Sequence, residues 1–381
     1  MSITTLTEKG ARMADEPGPG DLEALVPAAW GEVFRRVPRE FFIPDAVHAG
    51  PMGDEPSYWV DRTEDPERWR AAVYADTTLL TQIADGEVGL SEDTVRTGAP
   101  SSSSTAPSLV GEFLDLLDPY PGDRVLEVGT GTGWTAALLS ERLGADSVTS
   151  VEVDERVSKS AAGHLEISGH RPRLVVGDGL AGFPDGAPYD RVHVTCAVRE
   201  VPLAWVEQTR PGGVIVAPWS PVQVRGHKLR LTATGDRAIG RLHGGTAFMM
   251  ARSQRPGYAS LEEAPRESEA RLDPMRVTSA GPGLELVVVA LLPRVVVNGL
   301  GEGSRVGLHD PVTGAYALAI RPEDGGAAEV TEYGPRDLWS EMEAAYLAWV
   351  GLGEPELERF GLTVDAEGQQ VWLDQPRNRV R

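Results

Sequence analysis

Hydrophobic residues alternate between two periods in the middle of the chain. From residue 124 to 219 the segments read RVLEVG, TAALLSERLG, SVTSVEVD, VSKSAAGHLEISG, RLVVGDG, DRVHVTCAV, PLAWVEQTR and GGVIVAPW. Short apolar runs predict buried strands, and segments with helical spacing predict the helices between them. Strands that alternate with helices form a parallel sheet covered on both faces. We therefore predict a Rossmann-like α/β core over residues 121–252, closed by an antiparallel hairpin in HKLRLTATGDRAIGRLHGG.

The flanking segments follow other patterns. Residues 21–120 combine a helical pattern, a turn-rich stretch over 50–100 and a short helix in LVGEFLDLL, which predicts an N-terminal extension carrying a loop. Residues 253–274 are charged and proline-broken, which predicts a linker. Beyond them, LELVVVALLPRVVVNGL and GAYALAIRP predict strands, DLWSEMEAAYLAWVGLG a helix and GLTVDAEGQQVWLD a hairpin. We expect a disordered tail (1–20), one domain over 21–252, the linker, and a smaller α+β domain over 275–381 that could recognise a peptide.

Composition narrows the classes of partner. The 381 residues carry a formal net charge of −21 at pH 7, which argues against nucleic acid and anionic membranes because both are negative. Cys196 is the single cysteine, so neither an intramolecular disulfide nor a cysteine-based zinc site can form, and we expect no metal. No apolar run of signal-peptide or membrane-spanning length occurs, and we expect a cytoplasmic protein.

A glycine cluster, LEVGTGTGW, follows the first strand of the core. Glycines between a strand and a helix allow a tight turn, and the N–H groups at the helix start can bind a ligand. Glu127 precedes the turn. Glu152 ends the next strand, where a carboxylate can accept hydrogen bonds from the hydroxyls of a ribose. The stretch 131–136 also fits the G-x-G-x-x-A pattern of dinucleotide folds.

The charge of Glu127 decides between these interpretations. A pyrophosphate avoids a carboxylate, whereas a sulfonium with an amino-acid tail is attracted to it. We predict an S-adenosylmethionine (AdoMet) site, with a nicotinamide nucleotide site and a purely structural turn as alternatives. The expected cofactor residues are Glu127, Gly129, Thr130, Gly131, Gly133, Glu152, Val153, Asp178 and Gly179. For Asp178, a solvated turn is the alternative.

The run SSSSTAPS, residues 101–108, has the composition of a flexible linker. It nevertheless leads directly into the helix and strand that precede the glycine cluster. We favour a substrate-site loop over a tether.

Residues from about 30 to 245 resemble protein-L-isoaspartate O-methyltransferases, which methylate an aspartyl-type side-chain carboxylate. The matching pieces, in order, are FRRVPREFFIP, AVYADTTLL, TAPSLVGEFLDLL, PGDRVLEVGTGTGW, VEVD, VVGDG, YDRVHVTCAV and RPGGVIVAPW. LEVGTGTGW with VEVD is general to class I AdoMet methyltransferases, whereas VPREFF and S/T-x-P are more specific to this family. The resemblance implies AdoMet as methyl donor and S-adenosylhomocysteine as product.

The resemblance also implies a substrate site. The family places a serine where this chain has Thr105, so Ser103, Ser104 and Thr105 are candidates to hold the substrate carboxylate. Thr195, at the end of a core strand, is a further candidate, with strand packing as its alternative. His193 and Cys196 are expected to be packing residues.

Two departures from the family suggest a special substrate. About twenty polar residues are inserted before Thr105, and the C-terminal 130 or so residues have no counterpart in the ordinary repair enzyme. Both features are similar to variants associated with ribosomally made peptides (lanthipeptides, lasso peptides, graspetides). We therefore expect esterification of an aspartate in a cyclised peptide, leading to aspartimide and isoaspartate. Isoaspartate repair and a catalytically inactive AdoMet-binding protein are the alternatives.

Overall fold

A computed structural model describes residues 17–222, 225–257, 264–299, 303–324 and 326–381. Its helices are α1 (Ala28–Arg36), α2 (Pro66–Tyr74), α3 (Pro107–Leu117), α4 (Trp134–Leu143), α5 (Glu155–Ser168), α6 (Leu203–Glu207), α7 (Pro274–Thr278), α8 (Gly283–Leu291) and α9 (Leu338–Gly351). Its strands are β1 (Ala46–Pro51), β2 (Tyr58–Asp61), β3 (Thr77–Ile83), β4 (Pro100–Ser104), β5 (Val125–Val128), β6 (Val148–Glu152), β7 (Arg173–Val176), β8 (Tyr189–Val194), β9 (Thr209–Trp219), β10 (Arg225–Ala233), β11 (Ala238–Ala247), β12 (Arg266–Glu269), β13 (Val296–Asn298), β14 (Arg305–His309), β15 (Tyr316–Ile320), β16 (Glu329–Tyr333), β17 (Phe360–Asp365) and β18 (Gly368–Leu373). None of the helices in these described ranges is long and apolar enough to cross a membrane.

The largest sheet has nine strands in the order β18-β17-β11-β10-β9-β8-β5-β6-β7. Strands β7, β6, β5, β8 and β9 run parallel, and β10 and β11 add the antiparallel hairpin. All four residues of β5 are buried, as expected for a strand covered on both faces. The predicted Rossmann-like fold is confirmed.

The C-terminal residues divide differently from the sequence expectation. The hairpin β17–β18 forms as predicted, but it joins the large sheet, where Ala238 of β11 pairs with Val364 of β17. The strand expected in LELVVVALL is instead helix α8, which begins after Pro282. Its β-branched residues favour a strand locally. The segment nevertheless forms a short apolar helix, which buries Leu284, Leu286 and Val288 in the core.

The rest of the C-terminal region forms a five-stranded sheet, in the order β12-β16-β15-β14-β13. Its first strand, β12, lies inside the segment expected to be a linker, while residues 258–263 of that segment lie outside the described residues. Residues 1–16 of the expected tail also lie outside them. Pro19 already begins a 3₁₀ turn that buries Leu22.

The N-terminal extension contains a four-stranded sheet in the order β2-β1-β3-β4. The serine run, expected as a loop, forms its edge strand β4, with Leu79 opposite Ser104. Serine has low strand propensity, so pairing must hold this strand in place. Two hydroxyls contribute: Ser101 Oγ donates to Gln82 Oε1 (2.8 Å), and Thr81 Oγ1 donates to Ser102 Oγ (3.3 Å).

The guanidinium of Arg39 fixes the end of β4. It is fully buried and donates to Ser104 Oγ (3.2 Å) and to the carbonyl oxygens of Ser104 (3.0 Å) and Thr105 (2.9 Å). Further bonds reach the carbonyls of Val73 (3.0 Å) and Thr77 (2.9 Å). Burial lowers the pKa of Arg39 to about 9, so it is still charged at neutral pH.

Replacing Arg39 by methionine removes the guanidinium that donates to these four carbonyl groups. We expect the free energy of unfolding to fall by about 3–5 kcal/mol. Urea denaturation of Arg39→Met measures this loss. Arg68→Met is the matched control, because the exposed Arg68 guanidinium lies over the Tyr58 ring (4.7 Å) and should contribute less than about 1 kcal/mol. Equal stability of the two variants would contradict the assignment.

Candidate functional site

Three glycines shape the turn after β5. Gly129, Gly131 and Gly133 have φ angles of 95°, 54° and 90°, in the left-handed region that side chains disfavour. A Cβ on Gly129 would lie 2.5 Å from Thr195 Oγ1, so there is no room for a side chain. The turn leads directly into α4, whose first N–H groups face the carboxyl edge of the sheet. A ligand can therefore approach the backbone closely here.

Glu127 lies fully buried on β5 beneath this turn. Ser150 Oγ donates to its Oε2 (2.5 Å), while Oε1 has no hydrogen-bond partner among the described residues. Burial, together with the charge of Glu152, raises the pKa of Glu127 to about 8, although the hydrogen bond from Ser150 acts in the opposite direction. A buried carboxyl group with one free oxygen is suited to a cationic ligand group. Thr130 supports Ser150, since their hydroxyl oxygens lie 2.6 Å apart.

Glu152 ends β6 beside the glycine turn. Its Oε2 accepts from the N–H of Gly131 (3.0 Å), and its Oε1 accepts from the N–H of Asp154 (3.1 Å). Next to it, Val153 exposes 49% of its surface. The carboxylate thus joins two backbone segments and lies next to an exposed apolar side chain.

Asp178 and Gly179 follow β7, the strand next to β6. Asp178 Oδ1 accepts from the N–H of Leu180 (3.0 Å), which caps a short 3₁₀ turn. Gly179 packs against Val128, and a Cβ there would lie 2.5 Å from Val128 Cγ1. The structure therefore brings the nine expected cofactor residues to the carboxyl ends of the adjacent strands β5, β6 and β7.

Strand β4 lies against the glycine turn. The carbonyl oxygen of Ser103 is 3.5 Å from the position of a Cβ on Gly131. Within the described ranges the hydroxyls of Ser103 and Thr105 make no hydrogen bond to the protein. Ser104 differs from expectation, because its hydroxyl accepts from Arg39 and the residue is only 3% exposed. Ser103 and Thr105, not Ser104, are the hydroxyls available to a substrate.

Thr195 uses its hydroxyl on the backbone. Thr195 Oγ1 donates to the carbonyl oxygen of Gly129 (2.5 Å) and lies 3.1 Å from that of Val128. This geometry positions the glycine turn, so we assign Thr195 to positioning and not to substrate contact.

The neighbouring titratable side chains are packed. His193 is buried against Phe113 (ring centroids 6.3 Å apart), and burial lowers its pKa to about 4. Burial raises the pKa of Cys196 to about 12. Neither group is suited to take a proton from a substrate at neutral pH. In the part of the chain that the structure describes, no three His, Cys, Asp or Glu side chains are arranged to hold a metal ion.

Sequence reasoning missed two residues that build the site. Ser150 holds Glu127, and Arg39 holds β4. Arg39 stands inside the motif VPREFF, so the signal was present, but its partners are backbone groups that no sequence pattern reveals.

Comparison with solved structures extends the likeness beyond the core. One titled protein-L-isoaspartate O-methyltransferase matches over 93% of this chain and 99% of its own, with a TM-score of 0.53 and 22% identity. Residues 1–252 are only about two thirds of the 381, so the match must continue into the C-terminal region. The C-terminal region, which is expected to have no counterpart in the ordinary repair enzyme, thus has a counterpart of similar fold in that structure.

Curated relatives show the same likeness in sequence. The protein-L-isoaspartate O-methyltransferase of Pyrococcus horikoshii is 38% identical over 147 residues, which are 38% of this chain and 66% of the relative. The match thus spans just under two thirds of that protein. The enzyme of the same name from Ignicoccus hospitalis is 36% identical over 189 residues, covering 49% of this chain and 71% of the relative. The family model for protein-L-isoaspartate(D-aspartate) O-methyltransferase matches residues 60–243. The chain, with its buried Glu127, its glycine turn and the hydroxyls beside it, belongs to the protein-L-isoaspartate O-methyltransferase family.

Proposed function

We propose that this protein is an AdoMet-dependent O-methyltransferase that esterifies the carboxylate of isoaspartyl residues in peptides or proteins. The observation that carries the proposal is the contact between β4 and the glycine turn. It brings the carbonyl oxygen of Ser103 beside Gly131, at the end of the strand that leads to the hydroxyls of Ser103 and Thr105. The same turn follows the strand that holds the buried Glu127, whose free oxygen suits a cation. Membership of the family supports the same activity.

The residues around the glycine turn fit AdoMet. The unpartnered Oε1 of Glu127 suits a positively charged group of the cofactor, and Glu152 suits the ribose hydroxyls. Val153 offers an apolar surface for the adenine, with Asp178 and Gly179 on the adjacent strand. Bound AdoMet supplies an electrophilic methyl group.

Ser103 and Thr105 would orient the substrate. A peptide carboxylate with a pKa near 4 is already ionised at neutral pH, so the reaction needs no general base. Two hydroxyls can donate to one carboxylate oxygen and leave the other free to attack. Rate enhancement then comes from orientation and from exclusion of water. The ester can close on the next backbone nitrogen, releasing methanol and forming a succinimide.

A second candidate substrate is a normal aspartate in a macrocyclised ribosomal peptide, giving aspartimide. Two features favour it: Thr105 replaces the family's serine, and about twenty residues are inserted before it. The C-terminal region does not add to this case, because a structure titled as a family member shares the fold there.

Three synthetic peptides of one sequence distinguish these substrates: one with isoaspartate, one with aspartate, and a cyclised form of the aspartyl peptide. We expect an isoaspartyl peptide with AdoMet to gain one methyl group, or to lose water after succinimide closure, while the aspartyl peptide of the same sequence stays unchanged. Mass spectrometry follows both. An isoaspartate places its carboxylate on the α-carbon, and misplacing it by about 1 Å costs about a hundredfold in rate. Methylation of an aspartate only when the peptide is cyclised would favour the second candidate. Failure with all three peptides would reject both.

Glu127 should release a proton when AdoMet binds. Its pKa of about 8 leaves it mostly protonated at pH 7, and a cation favours the carboxylate, so up to about one proton is released. Calorimetry in buffers of different ionisation enthalpy measures this number. Glu127→Gln should release none and bind AdoMet about 10- to 100-fold more weakly. The exposed Glu155 provides a control, Glu155→Gln. Unchanged proton release in Glu127→Gln would exclude Glu127 as the source.

The same pKa sets the pH dependence of stability. Because the pKa of Glu127 is higher in the folded state than in the unfolded state, the protonated group stabilises the fold. This contribution to the free energy of unfolding is full below pH 4.5 and is lost as the pH rises through about 8. Without cofactor, Glu127→Gln should therefore unfold at a higher temperature than the wild type at pH 9.

Thr105→Val should lower turnover while AdoMet affinity stays near that of the wild type. The substitution keeps the shape of the side chain and removes the hydroxyl that meets the substrate. Ser102→Ala is the control on the same segment, since Ser102 bonds to Thr81 within the sheet. Equal loss of turnover and AdoMet affinity in Thr105→Val would instead place Thr105 at the cofactor.

A further inference from the structure

A charged cluster holds the start of the inserted segment. We call it the Asp85 cluster, and its members are Gln82, Asp85, Asp154, Arg156, Arg252 and Arg255. Asp85 lies in a turn and has a φ of 49°. Arg255 donates to both of its carboxylate oxygens (2.7 and 3.0 Å), and Arg252 Nε lies 3.0 Å from Asp85 Oδ1. Arg156 donates to the carbonyl oxygens of Asp85 (2.6 Å) and Gly86 (2.8 Å). The turn is thus held by side chains from two other segments.

Arg252 joins this turn to the cofactor side of the large sheet. Its Nη2 donates to Asp154 Oδ2 (2.9 Å) and to Gln82 Oε1 (3.2 Å). Asp154 also caps α5, because its Oδ1 accepts from the N–H groups of Arg156 and Val157. One guanidinium therefore contacts β3, the inserted turn and the N-terminus of α5.

The cluster connects directly to both candidate binding sites. On the cofactor side, Asp154 N–H donates to Glu152 Oε1 (3.1 Å). On the substrate side, Ser101 Oγ donates to Gln82 Oε1 (2.8 Å), and Gln82 Nε2 donates to Asp154 Oδ2 (3.1 Å). Ser101 lies on β4, two residues before Ser103. A continuous chain of hydrogen bonds thus connects Glu152, the carboxylate proposed to bind the ribose, with β4, the strand that carries the hydroxyl of Ser103.

The charges of the cluster persist at neutral pH. Arg252 and Gln82 donate to Asp154 and hold the pKa of that carboxyl at about 2, although burial opposes this. Arg255 lowers the pKa of Asp85 in the same way. The side chains of Arg252 and Asp85 remain 26% and 36% exposed. Such pairs contribute little to global stability individually, and salt screens them. Their effect is to fix three segments relative to one another.

We propose that Arg252 is a positioning residue that couples occupation of the cofactor site to ordering of β4 and the inserted segment. Cofactor binding fixes Glu152 and hence Asp154. Arg252 and Gln82 pass this restraint to the turn at Asp85 and to Ser101. By thermodynamic reciprocity, a peptide that orders β4 must then raise cofactor affinity by the same factor, which we expect to be about fivefold to tenfold. The inference rests on the proposed function for the identity of both ligands.

Hydrogen exchange of the intact chain tests the coupling without any methyl transfer. S-adenosylhomocysteine at saturation, established by calorimetry, should slow amide exchange over residues 84–104 of the wild type. Arg252→Met should lose most of this slowing while still binding the ligand, and Arg252→Lys should restore part of it. Arg237→Met is the matched control, because Arg237 pairs with its neighbour Asp236 on a distant turn. Slowing that is equal in Arg252→Met and the wild type would overturn the proposal.

Two further measurements test the coupling, and the first needs no variant. Raising NaCl to about 1 M should reduce the ligand-dependent slowing in the wild type, since salt screens the partly exposed Arg252–Asp85 pair. The affinity of S-adenosylhomocysteine should rise about fivefold to tenfold in the presence of an isoaspartyl peptide, and this gain should vanish in Arg252→Met. Slowing that high salt leaves unchanged, or an affinity gain that is as large in the variant as in the wild type, would count against Arg252.

The outcomes separate this inference from the proposed function. Ligand-dependent slowing without methylation of any peptide would reject the proposed substrate and support the coupling. Methylation of a peptide without ligand-dependent slowing would support the proposed substrate and reject the coupling. If S-adenosylhomocysteine does not bind the wild type, both proposals fall.

Discussion

The buried guanidinium of Arg39 is the constraint on which the site depends. Its N–H groups donate to the carbonyl oxygens of Ser104 and Thr105 on one side and to those of Val73 and Thr77 on the other. Carbonyl groups buried without donors are costly, so the charge and the chain segments stabilise one another. The guanidinium also lies over the ring of Trp134 (5.0 Å), the first residue of α4. The small N-terminal sheet is thereby fastened to the helix that begins at the glycine turn.

The bonds of Arg39 give the serine run a fixed position beside the glycine turn. A serine run has no side chains that would make it a strand, and without a partner it would be a flexible segment. Pairing with β3 and the bonds to Arg39 give it a fixed position, with the Ser103 carbonyl beside Gly131. The hydroxyls that remain free are those of Ser103 and Thr105, while those of its neighbours are used to hold the strand. Position along the sequence alone does not distinguish Ser103 from Ser104, whereas the partner of each hydroxyl does.

The parallel core and the glycine turn could be predicted because their signals are local. Strand β5, the glycines after it and the acidic ends of β5 and β6 can be recognised within about thirty residues of sequence. The departures have non-local causes. Helix α8 contains β-branched residues that favour a strand, yet it is helical where it packs against α9 in the core. The hairpin β17–β18 was recognised, but its pairing with β11 joins residues more than a hundred positions apart. The bonds of Arg39 span 34 to 66 residues and those of Arg252 span 98 to 170, so no local motif predicts them.

The pairing of β11 with β17 also has a consequence for folding while the chain is being synthesised. Residues 238–241 of β11 meet their partners, residues 361–364, only after about 120 more residues have been made. At roughly 5–20 residues per second, that interval is on the order of ten seconds on the ribosome. During it, the core strands can already fold, and β11 presents a row of unpaired N–H and C=O groups. An open edge of this kind invites pairing with another chain. Arrival of β17 and β18 covers it and moves the exposed edge to a shorter strand.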